Sequence, residues 1–209
     1  MNKFIKLSLV LGLIIIACSA VAVVPAQVPV TGETGGAAGS ENGIAWPSPR
    51  FVVGSGVTAG CITDKLTGLM WSKNGSIGFK STNDGELSAQ PNYSNTAENL
   101  NTSAWGVAIA AVGNMNSSPI KLCGYSDWRL PNIVELKSII NYGSQARPAD
   151  WLKEQGFVGV SLYGYYWSSS TYAPFTNNDV AWQVGFNRGD VTALGKSGNN
   201  HVWPVRGGQ

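Results

Sequence analysis

Tyr125-Ser126-Asp127-Trp128-Arg129-Leu130-Pro131-Asn132-Ile133-Val134-Glu135-Leu136 is the stretch on which the fold turns. Its second half reads as a helix start. Pro131 cannot extend a helix backwards, Asn132 offers an N-cap, and Glu135 stands three residues on, where its carboxylate can answer the cap's backbone N–H. An apolar stripe continues through Ile133, Leu136, Ile139 and Ile140, and Gly143 supplies a stop. In its first half, Trp128 reads as a buried indole. Asp127 and Arg129 read as charges bonded to backbone or to each other at the helix entrance, because a buried charge must be paired.

Toward the C-terminus the period changes. After Gly159, Tyr163 to Thr171, Ala181 to Phe186, Val191 to Leu194 and Val202 to Val205 read as strands separated by polar or glycine-bearing turns. Trp182, Val184 and Phe186 recur with period two, which buries one sheet face and points Gln183 the other way. Asn187-Arg188-Gly189-Asp190 reads as a hairpin turn with glycine available for a positive φ. Toward the N-terminus a second helix is expected over Ala97 to Met115, with Leu100, Ala104, Val107, Ala108, Ala111, Val112 and Met115 at near-helical spacing. Two helices beside short antiparallel strands make an α+β fold.

Further upstream the chain stops reading as a folded domain. Residues 23–49 are rich in Gly, Ala, Pro, Thr and Ser and read as a flexible linker; Gly32 and Gly35 begin a triplet that Gly36 and Gly39 break. Residues 1–22 have the layout of a secretory signal peptide: Lys3 and Lys6, an apolar run from Leu7 to Ile16, then small residues. Ala20-Val21-Ala22 offers one cleavage site. Ile15-Ile16-Ala17-Cys18 offers another, with Cys18 as a candidate lipidated cysteine. The domain proper is residues 50–209, in an exported protein placed in the periplasm, at the outer membrane if Cys18 is lipidated, or at the cell surface. Its one expected membrane contact is through that anchor.

Export governs the cysteines and the charge. With Cys18 in the leader, Cys61 and Cys123 remain as an even pair in an oxidising compartment, and a disulfide between them is expected, with two buried thiols as the alternative. Closing a loop of roughly sixty residues stabilises by about 4 kcal/mol on the chain-entropy model. The chain has 14 Lys and Arg against 12 Asp and Glu. Without Lys3 and Lys6 the two signs balance, so there is no global basic field for nucleic acid.

Five blocks together resemble a known family: Asp64-Lys65-Leu66-Thr67-Gly68-Leu69-Met70-Trp71; Cys123-Gly124-Tyr125-Ser126-Asp127-Trp128-Arg129-Leu130-Pro131; Tyr166-Trp167-Ser168-Ser169-Ser170-Thr171-Tyr172; Val184-Gly185-Phe186; and Val205-Arg206-Gly207-Gly208. In this order and spacing, over residues 58–209, they resemble the Lcl C-terminal domain family, named after a bacterial collagen-like adhesin. The resemblance implies a C-type-lectin-like fold whose C-terminal strands form the ligand face, and adhesion to polyanionic glycans such as sulfated glycosaminoglycans. Two departures stand out. Relatives often carry a cysteine where this chain has Val202-Trp203-Pro204, and the linker lacks the collagen triplet, so a trimer is not inherited.

Chemistry-bearing candidates are few. Ser168, Ser169 and Ser170 could suggest a nucleophile, but no base is positioned for them and the single histidine is His201. One histidine and two paired cysteines cannot make a usual zinc set. Asn177, Asn178 and Asp179 carry oxygen ligands but read better as turn chemistry than as a calcium site. Arg188-Gly189-Asp190 spells an adhesion tripeptide that turn propensity explains. No catalytic residues, metal or cofactor are expected.

What remains is a density of Tyr, Trp, Asn and Ser after Tyr163, the composition of an antibody paratope. The candidate ligand-binding residues are Tyr172, Asn177, Asn178, Asp179, Asn187, Arg188, Lys196, Asn199, Asn200, His201 and Arg206, on loops 172–179, 187–190 and 196–203, with Arg188, Lys196 and Arg206 as cations for an acidic partner. The expected function is non-enzymatic recognition of a glycan or a surface protein. The alternatives are a structural envelope protein packing on a protein neighbour, or a recognition protein whose C-terminal segment is diversified.

Overall fold

The computed structural model describes residues 45–76, 80–81, 87–88, 102–173 and 178–207. The leader with Cys18, the linker as far as residue 44, Asn177 and residues 97–101 of the expected first helix lie outside the described residues. In chain order come β1 (Phe51–Val53), β2 (Cys61–Asp64), β3 (Leu69–Ser72), β4 (Lys80–Ser81), β5 (Leu87–Ser88), β6 (Thr102–Ser103), α1 (Trp105–Ser117), α2 (Ile133–Ser138), α3 (Pro148–Glu154), β7 (Tyr166–Thr171), β8 (Val180–Val184), β9 (Val191–Gly195), β10 (Asn200–His201) and β11 (Val205–Gly207). This is a mixed α/β fold. One sheet has the order β1-β2-β3-β11 and a second the order β6-β10-β7-β8-β9, while β4 and β5 form a two-stranded ribbon. Strand pairs are antiparallel except β10 with β7.

Strand alternation distributes side chains between two cores. Ile62, Tyr166, Val184 and Trp203 enter one, with Leu136 and Ile139 from the α2 segment and Leu152 from α3. Cys61, Trp167, Ala181 and Val202 enter the other, with Ala108 and Val112 of α1. Neighbours such as Tyr166 and Trp167, or Val202 and Trp203, thus serve opposite sides of the same strand or connection. Because both sides are covered, Gln183 is buried rather than solvent-facing and pairs with the buried Asn200.

Trp203 is the hub of the first core. Its ring meets Trp71, Phe157, Tyr166 and Phe186 at centroid distances of 5.6, 5.3, 5.5 and 5.4 Å, and its indole N–H donates to the Ser72 carbonyl at 2.8 Å. Within the other core Cys61 and Cys123 form the disulfide, with Cα atoms 6.4 Å apart.

The run from Tyr125 to Pro131 is a clasp. Trp128 is buried, and the Asn116 side chain bonds both its carbonyl and its N–H. Arg129 exchanges two backbone hydrogen bonds with Val205 of β11. Asp127 and Arg129 do not pair with each other. Asp127 takes Arg206 of β11, and Arg129 takes Glu135 through two bonds of 2.8 and 2.6 Å. The Asn132–Glu135 capping box forms as the spacing predicts.

Two strands and three helices depart from the sequence reading: the strand expected from Tyr163 begins at Tyr166, and Val202 to Pro204 link β10 to β11 instead of forming a strand. The first helix begins at Trp105, because Thr102 and Ser103 pair with β10 instead. The second ends at Ser138, whose carbonyl is capped by Arg50 at 2.7 Å, and Ile139 and Ile140 pack beyond the helix end. A third helix, α3, starts with Pro148 at its first position, where the missing N–H costs nothing. In seven residues, the buried Ala149 and Leu152 give one helical repeat, too little to register as a period.

A buried ion pair fixes the start of the domain. Arg50 and Asp64 are 4 % and 0 % exposed and meet through bonds of 2.9 and 2.8 Å. Asp64 also accepts from the Leu66 N–H and the Thr67 hydroxyl, and the guanidinium lies over Trp46, which packs on Trp151 of α3. Among the described residues, no helix is long and apolar enough to cross a membrane.

Candidate functional site

The hairpin between β8 and β9 carries a cleft. Gly185 N–H donates to the Asp190 carbonyl and Gly189 N–H to the Gly185 carbonyl, both at 2.9 Å, which closes the turn. Gly189 has φ +77°, as the turn reading requires, and Ala149 at the start of α3 donates to the Phe186 carbonyl at 2.9 Å. Phe186 is wholly buried, so the turn sits on the core. Above it Leu162, Gly164, Tyr165, Gly185, Asn187, Arg188 and Asp190 line a space of about 170 Å³. That is room for a small polar group, with one side open to water.

Two interactions shape this cleft. The Tyr165 hydroxyl donates to Asp190 Oδ2 at 2.7 Å; this carboxylate holds the phenol above its ordinary pKa, while the Arg188 cation pulls it the other way. Gly185 forms the floor. A Cβ there would stand 2.7 Å from Asp190 Oδ1 and 3.1 Å from the Tyr165 ring, so any larger residue fills the cleft. Arg188 is exposed, and its guanidinium makes no hydrogen bond or ion pair with the described residues.

The expected site residues do not form one surface. Residues 178–179 precede β8 and residues 187–190 follow it. The two groups therefore sit at opposite ends of a strand about 14 Å long. Lys196 follows β9 and returns to the end that holds Asp179, to whose carbonyl its N–H donates. Its ammonium donates to Thr171 Oγ1 at 2.9 Å and lies 4.1 Å from the Trp105 ring centroid. Tyr172 packs edge-on against Trp182, and Asn178 takes φ +54°, a turn role. Arg206 belongs to the other sheet, ion-paired with Asp127 and stacked on Tyr125 at 3.6 Å. Among the described candidates, Asn187 and Arg188 alone line the cleft; Asn199 is exposed elsewhere.

Asn200 and His201 are interior, at 3 % and 8 % exposure, because β10 is wedged between β6 and β7 rather than forming part of a loop. His201 Nε2 lies 2.9 Å from the Tyr163 carbonyl, which can only accept, so Nε2 carries the proton; Nδ1 then accepts from the Ser76 hydroxyl at 3.0 Å in the neutral ring. Sequence reading missed this serine–histidine contact, since 125 residues separate the partners. The serines of β7 serve the fold. Ser168 donates to the Trp182 carbonyl, and Ser170 Oγ accepts from the Ile133 N–H at the helix entrance. Also missed were Leu162, Gly164 and Gly185 as cleft residues, while Asp190 lies in the nominated 187–190 loop and Tyr165 in the aromatic-rich stretch after Tyr163. Only the close pairing of β7 with β8 brings Tyr165 beside Asp190.

A family model described as the Lcl C-terminal domain matches residues 60–206, from β2 to β11, and so covers every residue of the cleft. No curated protein matches the chain.

Proposed function

The chain belongs to the Lcl C-terminal domain family, and from that premise we propose that it is an exported, adhesin-like recognition module on a C-type-lectin-like scaffold, holding an acidic glycan at the β8–β9 hairpin without catalysis. Export through the leader, with either cleavage after Ala22 or a lipid on Cys18, places it in the envelope facing such a ligand.

The observation that carries this reading is the exposed Arg188 guanidinium at the rim of a polar cleft whose turn is anchored to the core. An exposed cation on an anchored turn, beside amide, phenol and carboxylate groups, suits an acidic sugar, with charge and hydrogen bonding as the mechanism. Lys196 and Arg206 are engaged with their own neighbours, so one cation rather than three meets the ligand. Titration with heparin fragments between low and physiological salt tests this. Affinity falling as salt rises, and lost in Arg188→Ala, supports it; affinity indifferent to salt contradicts it.

One observation favours a protein partner instead. α1 carries no charged residue, and Val107 and Ile109 on it are exposed. Cross-linking to a protein neighbour, with every glycan blank, would establish that reading in place of the first.

A further inference from the structure

The cleft's own charges narrow its ligand. Arg188 and Asp190 stand one residue apart on a closed turn, so the site holds one cation and one carboxylate. A densely sulfated chain brought to Arg188 meets the fixed negative charge of Asp190 next to it, where like charges repel. A ring bearing hydroxyls can instead donate to that carboxylate, which accepts from Tyr165 through Oδ2 and keeps further lone pairs.

Beside the cleft stands a ring that the sequence reading did not single out. Tyr163 is 84 % exposed, yet its main chain is pinned. Its N–H donates to Ser161 Oγ at 3.1 Å, and its carbonyl accepts from the Ser161 hydroxyl at 2.7 Å and from His201 Nε2 at 2.9 Å. Leu162 and Gly164 on either side of it line the cleft, while the Tyr163 ring itself stands out in water next to it. A tyrosine with an immobile backbone offers large amphipathic contact area at small entropic cost.

We infer that Tyr163 and the Tyr165–Arg188–Asp190 cleft form a subsite for one uronate-type sugar: a saccharide ring with a single carboxylate flanked by hydroxyls, and no sulfate. The ligand carboxylate pairs with Arg188, a hydroxyl donates to Asp190, and the apolar face of the ring packs on Tyr163. His201 and Ser161 are positioning residues that hold the Tyr163 backbone. This rests on the reading of the cleft as a glycan site.

The test is calorimetric titration of the mature chain with three oligosaccharides of equal length: unsulfated hyaluronate fragments, heparin fragments and neutral dextran fragments. The expected order is hyaluronate tighter than heparin despite its lower charge, and dextran weakest. Tyr163→Ala weakens hyaluronate binding about tenfold, Tyr163→Phe leaves it unchanged, and Asp190→Asn shifts the preference toward heparin about tenfold. Tyr163 is exposed, so its variants keep the test valid should Asp190→Asn fail to fold. Heparin binding tighter than hyaluronate, or Tyr163→Ala binding as well as the native chain, overturns this inference while leaving the acidic-glycan reading in place. No binding of hyaluronate or heparin overturns both.

Discussion

Two charged pairs do different work because their surroundings differ. Arg50 and Asp64 are both out of water, so removing one strands the other: Asp64→Ala is expected to destabilise by about 3–5 kcal/mol in urea unfolding, whereas replacing both by apolar residues of similar volume costs much less. Equal losses in the single and double variants would contradict this. Arg129 and Glu135 are half-buried, and burial alone would raise the Glu135 pKa. The hydrogen bonds from Arg129 and from the Asn132 N–H outweigh burial and hold it below the ordinary glutamate value. A carboxylate with a lowered folded pKa contributes stability above its unfolded value, about 4.3, and loses that contribution as pH falls through the folded value. Acid unfolding of Glu135→Gln should therefore be flatter below about pH 4.3 than that of the native chain, read as melting temperature against pH. At this scale the sequence was legible where partners are near in the chain: the Asn132–Glu135 box forms as read. It was not legible where they are far, as with Asp127 and Arg206, 79 residues apart, or the buried Asn200–Gln183 pair.

The β8–β9 hairpin is the element on which recognition depends, and its glycines have separate tasks. Gly189 supplies the positive φ, and Gly185 supplies empty space. Gly185→Ala should fold, since the nearest obstacle is the tip of the Asp190 side chain, but it displaces that carboxylate from Tyr165. The Tyr165 phenol should then titrate nearer its ordinary value, followed by ultraviolet absorbance; an unchanged titration would contradict the assigned contact. The turn, its glycine and the period-two strand before it were legible because they are local. The ligand surface was not, because strand direction decides which loops meet. Loops 172–179 and 187–190 look adjacent in sequence, yet β8 holds them at opposite ends. The paratope-like composition misled for a related reason: with both sides of the second sheet covered, Tyr166, Trp167, Phe186 and Trp203 are core, and Tyr163 stands out in water.

In the whole molecule, two cores lie on opposite sides of shared strands, and long-range ties hold them in register. Trp203 joins four rings of the first core, so Trp203→Ala is expected to cost about 3–5 kcal/mol. The disulfide closes 62 residues between β2 and the segment before the clasp, and its reduction should cost about 4 kcal/mol, a fall in Tm on the order of 10 °C, read by calorimetry with and without reductant. These ties hold the turn that carries Arg188 in place, so a ligand should meet its cation at one position on the molecule. The three cations that the sequence nominates thereby become separable. The most direct measurement is the Kd of one acidic oligosaccharide for Arg188→Ala, Lys196→Ala and Arg206→Ala side by side. A loss of tenfold or more in Arg188→Ala alone, with the other two binding as the native chain does, is the predicted result. Equal losses in all three, or none in Arg188→Ala, would contradict it.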